Sequence, residues 1–171
     1  MSNFGYKTNN RVPIEIEVKL LINKDVIKRL EKKLGCFGGI SKWKKQENIV
    51  YRTENGFIRF RREDEAVTLT IKGKRLPGEY NERSEIEREI PIDFFDYVLK
   101  YVSNDAVVYE KQRASYNYNG CVVCLDNLNG QYFVEIEGTR ELIDKNIVNL
   151  RLKEFPKIKK DYAQIVAGGR R

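Results

Sequence analysis

Apolar and charged residues alternate along several short stretches of this sequence. In residues 14–20, IEIEVKL, the aliphatic residues fall on one parity, whereas Glu15, Glu17 and Lys19 fall on the other. A period of two is typical of a strand that has one buried face. The pattern therefore predicts a first strand over residues 13–22.

Seven further stretches read as strands separated by turn residues. They are residues 47–53, 56–62, 66–74, 82–90, 106–118, 121–126 and 132–138. Helical periodicity follows the candidate caps Asn23 and Thr139, a further helix begins at Asp93, and a last amphipathic segment covers residues 160–168. Because most strands are joined by short loops, we expect mostly antiparallel pairing.

The polar faces of these strands carry charges in groups that are mostly of one sign. The groups are Glu15, Glu17 and Lys19; Arg59 and Arg61; Thr68, Thr70 and Lys72; Arg83, Glu85, Glu87 and Glu89; Lys111 and Arg113; and Glu135 and Glu137. An open sheet with one wet face is the ordinary explanation of charged strands. A solvated face normally mixes signs, however, because like charges two residues apart repel.

Segregated charges favour a sheet that closes and turns its polar face inward. We therefore predict an α+β fold in which eight mostly antiparallel strands form a barrel, or tunnel, with the helices packed outside. Charges inside a barrel are costly unless ligands compensate them. Divalent cations on the carboxylates and an anion on the bases would do so, and a chain of phosphates bridges both.

Length and composition are those of one globular domain. The chain has 171 residues, of which 41% are hydrophobic and 33% charged. We expect a single domain over residues 1–171, with flexible ends at 1–11 and 168–171. There is no long apolar run and no apolar core near the N-terminus, so we expect a cytoplasmic protein without a membrane partner.

The formal charge of +7 predicts an anionic partner. No zinc finger, helix-turn-helix or RNP-like motif accompanies the charge, so nucleic acid is expected only as a 5′-triphosphate end. Cys121 and Cys124 have C-x-x-C spacing, but there is no second pair and no His in the chain. Zinc or redox chemistry is thus the lesser alternative, and buried, reduced thiols are expected.

The charged motifs resemble those of the CYTH superfamily, the triphosphate tunnel metalloenzymes. Glu15-x-Glu17-x-Lys19 is similar to the family's ExExK motif, and IRFRR, LTIKGK, RSEIE, EKQR, LD and FVEIE follow in the family's order up to Glu137. The tail DYAQIV, with Tyr162, resembles the end of the single-domain cyclase-like branch. The superfamily contains class IV adenylyl cyclases, thiamine triphosphatases, inorganic tripolyphosphatases and RNA 5′-triphosphatases.

The resemblance implies a role for thirteen residues. It implies a metal site for Mg²⁺ or Mn²⁺ at Glu15, Glu17, Asp126, Glu135 and Glu137. It implies a triphosphate clamp of six bases, Lys19, Arg59, Arg61, Lys72, Lys111 and Arg113. It also implies an acidic pair, Glu85 and Glu87, that positions metal or water.

The expected function is metal-dependent hydrolysis of a triphosphate moiety, in tripolyphosphate, thiamine triphosphate or a nucleoside triphosphate. A class IV-type adenylyl cyclase is the first alternative, although the His-Phe pair of some such cyclases is missing. A non-catalytic triphosphate- or RNA-binding module is the second. Trp43, Tyr51, Phe57 and Tyr116 are candidates to stack on a base. The sequence leaves open whether the chain forms a homodimer.

Overall fold

A computed structural model describes residues 12–37 and 42–169. The strands are β1 (Ile14–Ile22), β2 (Lys44–Thr53), β3 (Gly56–Glu63), β4 (Ala66–Gly73), β5 (Asn81–Ile90), β6 (Val107–Tyr118), β7 (Cys121–Leu128) and β8 (Gln131–Glu137). The helices are α1 (Lys24–Gly35), α2 (Ile92–Tyr101), α3 (Arg140–Asn149) and α4 (Tyr162–Gly168), and a 3-10 turn covers Ser103–Asp105. Every predicted strand and helix is present.

The eight strands close into a barrel in the order β1-β5-β4-β3-β2-β6-β7-β8. All pairings between these strands are antiparallel. Closure leaves no free sheet edge, because β8 pairs with β1 from Glu17 opposite Glu137 to Ile22 opposite Tyr132. The predicted closed barrel is confirmed, and the pairing is more uniformly antiparallel than the loop lengths indicated.

Helices α1 and α3 cover the outer face of β1, β7 and β8. Asn23 caps α1 by accepting hydrogen bonds from the backbone of Asp25 and Val26, and Thr139 caps α3. The buried side chains beneath these two helices form the largest apolar cluster, which includes Leu20, Leu30, Leu34, Leu125, Val134, Ile136, Ile143 and Leu150. Full burial of one such side chain contributes about 1.5–3 kcal/mol, so this cluster holds the two helices on the barrel.

Helix α2 covers a second part of the outer surface. Its Phe95 and Val98 pack on Ile49 and Val67, which project outward from β2 and β4. Arg62 also lies on this outer face, where it bonds Glu47 and lies over the ring of Phe95. The helices thus pack on the outward-facing apolar residues of the strands, as the alternation predicts.

The C-terminal segment is held on the barrel by backbone hydrogen bonds to β1 and by packing against inward-facing residues. Residues near Pro156 bond to β1, since the backbone N–H of Leu21 donates to Pro156 and that of Ile158 donates to Lys19. Helix α4 then begins at a capping box formed by Asp161 and Gln164. Tyr162 and Ala163 pack against inward-facing residues, namely Val50, Phe57, Tyr109 and Phe133.

The ends of the chain are described only in part. Gly168 is the last residue of α4, and Gly169 follows it as the C-cap. Residues 1–11 and 170–171 lie outside the described residues, so their expected flexibility stays a prediction. Within the described residues, no helix has the length and apolar character needed to cross a bilayer.

Candidate active site inside the barrel

The interior of the barrel holds a cavity of about 340 Å³ to which all eight strands contribute side chains. Eleven of the thirteen residues predicted for the site line it. They are Glu15, Glu17, Lys19, Arg59, Arg61, Lys72, Glu85, Glu87, Arg113, Glu135 and Glu137. The open-sheet alternative is therefore wrong, because these charges face a shared interior.

Strand register brings the carboxylates of β1 and β8 together. Glu17 on β1 lies opposite Glu137 on β8, and Lys19 lies opposite Glu135. On the other side of β1, Glu15 lies opposite Arg83 of β5. One side of the cavity is therefore dominated by acids, whereas Arg59, Arg61 and Arg113 project from β3 and β6.

The acidic side is electrostatically crowded. Burial raises the pKa of Glu17, and the neighbouring carboxylate of Glu135 raises it further. Burial likewise raises the pKa values of Glu15 and Glu137. Asn81 Nδ2 donates a 3.3 Å hydrogen bond to Glu17, and the charges of Lys72 and Lys19 offset the rise in its pKa only in part.

This side of the cavity offers the hard oxygen ligands that Mg²⁺ and Mn²⁺ prefer. A divalent cation would also offset the burial and the carboxylate repulsion that raise the three pKa values. The side chains do not stand in ready coordination geometry, since no three acidic or thiol side chains within residues 12–37 and 42–169 converge as a metal-binding group. The donor types and the charge therefore fit a cation, whereas the present rotamers do not enclose one.

Several bases cross the cavity to meet these acids. Lys72 Nζ bonds Glu15 and lies 3.1 Å from Glu85. Lys19 Nζ lies 3.1 Å from Glu135, which also pairs with Arg113. Burial would raise the pKa of Glu135, but the charges of Arg113 and Lys19 hold it well below its usual range.

Glu87 is held as an ionised carboxylate at the basic side. The hydroxyl of Thr70 donates a 2.7 Å hydrogen bond to it, and Arg59 donates one of 3.3 Å. Burial opposes ionisation, yet the Thr70 hydrogen bond and the charges of Arg59 and Arg61 lower the pKa of Glu87. Burial and the neighbouring charges of Arg59 and Arg113 lower the pKa of Arg61 to about 10.

Two predicted site residues, Lys111 and Asp126, are fully buried and do not line the cavity. Lys111 Nζ is 2.9 Å from Asp126 Oδ1, and both side chains are 0% exposed. Asp126 also accepts two hydrogen bonds from Arg113 and a 2.6 Å bond from the hydroxyl of Tyr162. Four donor atoms thus occupy the two oxygens of this carboxylate in the structure.

A CYTH domain family model matches residues 13–161 of the chain. The chain belongs to the CYTH family. The match spans all eight strands and most of the C-terminal segment, which agrees with the charged tunnel found in the structure.

Solved structures share this CYTH fold at low sequence identity. A conserved hypothetical protein from Pyrococcus furiosus superimposes with a TM-score of 0.70 at 22% identity, over 87% of this chain and 98% of that one. HpAC1 from Hippeastrum, described as a putative adenylyl cyclase with a dominant triphosphatase activity, gives 0.69 at 21% identity, over 91% and 96%. A putative adenylate cyclase from Vibrio parahaemolyticus gives 0.65 at 12%, over 92% and 99%. A search of curated proteins gives no significant match.

The CYTH tunnel contains residues that the sequence analysis did not assign to the site. Arg83 lines the cavity and is 6% exposed, and its parity with Glu85 had marked it as inward-facing. Tyr162 also lines the cavity, with Lys19 Nζ 3.9 Å and Lys111 Nζ 4.2 Å from its ring centroid. Only tertiary packing shows this, because α4 is distant in sequence from both lysines.

The aromatic candidates for base stacking are mostly elsewhere. Phe57 lines the CYTH cavity, but Trp43 and Tyr116 pack in the apolar cluster under α1 and α3, and Tyr51 packs near α2. Among the cysteines, Cys121 and Cys124 are free and buried. Burial raises the pKa of the Cys124 thiol, which makes it a poor nucleophile.

Proposed function

We propose that this CYTH protein is a divalent-metal-dependent phosphohydrolase that acts on a triphosphate moiety. The main support for the proposal is that one cavity is lined both by the carboxylates of β1 and β8 and by the bases of β3, β4 and β6. Tripolyphosphate, thiamine triphosphate and nucleoside triphosphates all present the group that such a cavity suits. A triphosphate carries about four negative charges, so its chemistry depends mostly on positioning and charge stabilisation.

The triphosphate clamp would bind the phosphate oxygens. Lys19, Arg59, Arg61, Lys72 and Arg113 reach the cavity directly. Lys111 is buried and would act indirectly. It donates a hydrogen bond to Asp126, and Asp126 in turn holds the guanidinium of Arg113. In this proposal Asp126 is an anchor for the clamp rather than a metal ligand.

Glu15, Glu17, Glu135 and Glu137 would hold Mg²⁺ or Mn²⁺. The bound cation supplies charge neutralisation and polarises the phosphate oxygens. Glu17 and Glu137 are the best placed, since neither forms an ion pair with a base of the described residues. Glu15 and Glu135 would exchange part of their pairing with Lys72, Lys19 and Arg113 for the cation.

Glu85 and Glu87 would position the attacking water. The contacts of Glu87 with Thr70 and Arg59 fix its orientation and keep it ionised, so it can accept a hydrogen bond from water. An oriented water next to the terminal phosphorus lowers the barrier chiefly by proximity. Hydrolysis needs no covalent protein nucleophile.

Cyclisation of ATP is the alternative that shares this clamp. It requires a pocket for adenine and ribose in addition to the phosphates. Of the four candidate aromatic residues only Phe57 lines the cavity, and the guanidinium of Arg83 lies over its ring. Hydrolysis is therefore the better supported reaction.

The test is a product panel. Purified protein is incubated with tripolyphosphate, thiamine triphosphate or ATP, with Mg²⁺ or Mn²⁺, and orthophosphate, pyrophosphate and cyclic AMP are measured. The proposal expects metal-dependent orthophosphate release that Arg59→Met lowers by about 10²–10³-fold. Arg62→Met, on the outer face of the same strand, is the control and leaves the rate unchanged. Cyclic AMP with pyrophosphate would show a cyclase, and no product from any substrate would show a binding module.

A further inference from the structure

The positive net charge of the chain lies outside the tunnel. The residues that line the cavity, together with the buried Lys111 and Asp126, comprise eight carboxylates and seven bases. The whole sequence has 25 acidic and 32 basic residues, which leaves 17 acidic and 25 basic residues outside the interior. The interior therefore does not account for the formal charge of +7. An anionic partner that matches this charge would bind at the outer surface.

Helix α1 and the turn that follows α3 carry many of these outer bases. We call this surface the basic face, and its members are Lys24, Lys28, Arg29, Lys32, Lys33, Arg151 and Lys153. All of them are exposed except Lys33, which is half-buried. Residues 24–35 and 150–154 contain only three acids, and one of these, Glu31, accepts a hydrogen bond from the indole of Trp43. The two segments thus have an excess of four positive charges.

Two hydrogen bonds make the basic face continuous. Arg29 Nη1 donates a 3.0 Å hydrogen bond to the carbonyl of Leu150, and Lys33 Nζ donates one of 2.6 Å to the carbonyl of Asn149. These contacts place α1 against the C-terminal end of α3, where free carbonyls carry partial negative charge. The fold therefore uses Arg29 and Lys33 itself, and it brings the turn after α3 beside the lysines of α1.

The bases of the basic face are not neutralised by carboxylates. None of the seven forms an ion pair within the described residues. Residues 1–11, 38–41 and 170–171 contain no Asp or Glu that could supply a partner. Other surface bases, such as Lys45 and Arg140, do pair with carboxylates. The basic face is therefore a surface of uncompensated positive charge.

The geometry of α1 favours an extended anion over a bilayer. Lys24, Lys28 and Lys32 follow one another at intervals of four residues, about 6 Å along the helix axis. The opposite side of the helix, with Ile27, Leu30 and Leu34, is buried. Because the barrel uses this apolar side, α1 cannot insert it into a membrane, and only contact by charge remains. A nucleic acid offers such a partner in its regular row of phosphates.

We propose that the basic face binds the phosphate backbone of a nucleic acid, at a site separate from the tunnel. Contacts of this kind position a protein on the backbone and carry no sequence information. The sequence predicted nucleic acid only as a 5′-triphosphate end, whereas the basic face provides a contact that needs no such end. The inference is independent of the proposed hydrolysis, because none of the seven bases lines the cavity.

Fluorescence anisotropy with a labelled RNA of about 20 nucleotides tests the proposal. The RNA has a 5′-hydroxyl end, so it presents no triphosphate to the tunnel, and EDTA removes divalent metal. The expected Kd near physiological salt is about 10⁻⁴–10⁻⁶ M. The logarithm of the association constant should fall with the logarithm of the KCl concentration, with a slope of about −3 to −5 for five to seven phosphate contacts.

A charge-matched pair of double variants locates the contact. Lys28→Glu with Lys32→Glu is expected to weaken RNA binding by at least about tenfold at 50 mM KCl and to make the salt slope shallower. Lys100→Glu with Lys145→Glu is the control, because it changes the net charge equally at exposed positions on α2 and α3. The control should change the Kd by less than about threefold. Melting temperatures check the folding of each variant, and Lys28→Gln with Lys32→Gln replaces a variant that fails to fold.

Four outcomes would overturn the proposal. The first is an absence of RNA binding at 50 mM KCl, and the second is equal weakening by the two double variants, which would show an effect of net charge alone. The third is loss of RNA binding in Arg59→Met, which would place the RNA in the tunnel. The fourth is binding to phosphatidylserine vesicles, but not to RNA, that Lys28→Glu with Lys32→Glu removes. In that case the partner of the basic face is an anionic membrane surface.

Discussion

The hydroxyl of Tyr162 donates a 2.6 Å hydrogen bond to Oδ2 of Asp126, a carboxylate that is completely buried. Through this bond the first residue of α4 joins the cluster that contains Lys111 and Arg113. Burial and the charge of Asp126 raise the pKa of Tyr162 well above its usual value, so the phenol stays a donor at neutral pH. Helix α4 is therefore bonded to the residues that hold the clamp, and these buried contacts also stabilise the fold.

The first prediction concerns the Asp126 carboxylate. Asp126→Asn should lower the free energy of unfolding by about 3 kcal/mol, because it removes the counter-charge of the buried Lys111 and one of the two carboxylates that pair with Arg113. Urea unfolding at pH 7 measures the change. Asp96→Asn is the control: Asp96 pairs with Arg62 at the surface with 65% of its side chain exposed, and the loss should be under about 1 kcal/mol. Similar small losses for both variants would show that Asp126 is not an anchor.

The second prediction concerns the pH dependence caused by Lys111. Burial and the charge of Arg113 lower the pKa of Lys111 from 10.5 to about 7. The unfolded state then binds more protons than the folded state between these values, so this residue makes stability rise with pH in that range. The difference in free energy of unfolding between the wild-type protein and Lys111→Met should therefore shift in favour of the wild type from pH 7 to pH 9. A difference that stays constant would contradict the lowered pKa.

The third prediction concerns Glu17 in protein without metal. Because burial and Glu135 raise the pKa of Glu17 above 4.5, the ionised form destabilises the fold at neutral pH. Glu17→Gln should abolish hydrolysis and yet be at least as stable as the wild type at pH 7. The stability advantage should shrink as the pH falls toward 4.5, where the wild-type carboxyl is protonated. Urea unfolding across this range, together with an orthophosphate assay, measures both effects.

Two outcomes of that experiment would count against the account. Full activity of Glu17→Gln would remove Glu17 from the metal site. If Glu17→Gln is less stable than the wild type at pH 7, the ionised Glu17 carboxylate stabilises the fold. Glu89→Gln is a suitable control for the loss of one carboxylate. Glu89 lies on the same face of β5 as Glu85 and Glu87 but outside the cavity lining.

The inward direction of the charged residues could be predicted from sequence because parity is a local property of a strand. Glu15, Arg59 and Glu135 each belong to an alternating stretch, and closure turns all three faces the same way. The family motifs then added the roles. The order of strands around the barrel was not predictable in the same way, since β1 pairs with β5 and β8 through distant residues.

The sequence pattern also could not predict how deeply each inward-facing side chain is buried inside the barrel. Lys111 and Asp126 have inward parity, but they pair with each other, are fully buried and do not line the cavity. Tyr162 approaches Lys19 only because the C-terminal segment packs beside β1. Arg83 has the correct parity too, and the structure places it in the lining of the same cavity.

The central claim is that the charged interior binds a triphosphate and a divalent cation together, and melting temperature tests it most directly. At saturating tripolyphosphate with Mg²⁺ or Mn²⁺, the account predicts a rise in melting temperature larger than either ligand gives alone, by mass action on the folded state. Arg59→Met should lose most of the rise, and Arg62→Met should keep it. An unchanged melting temperature of the wild-type protein at saturating tripolyphosphate and metal would contradict the account.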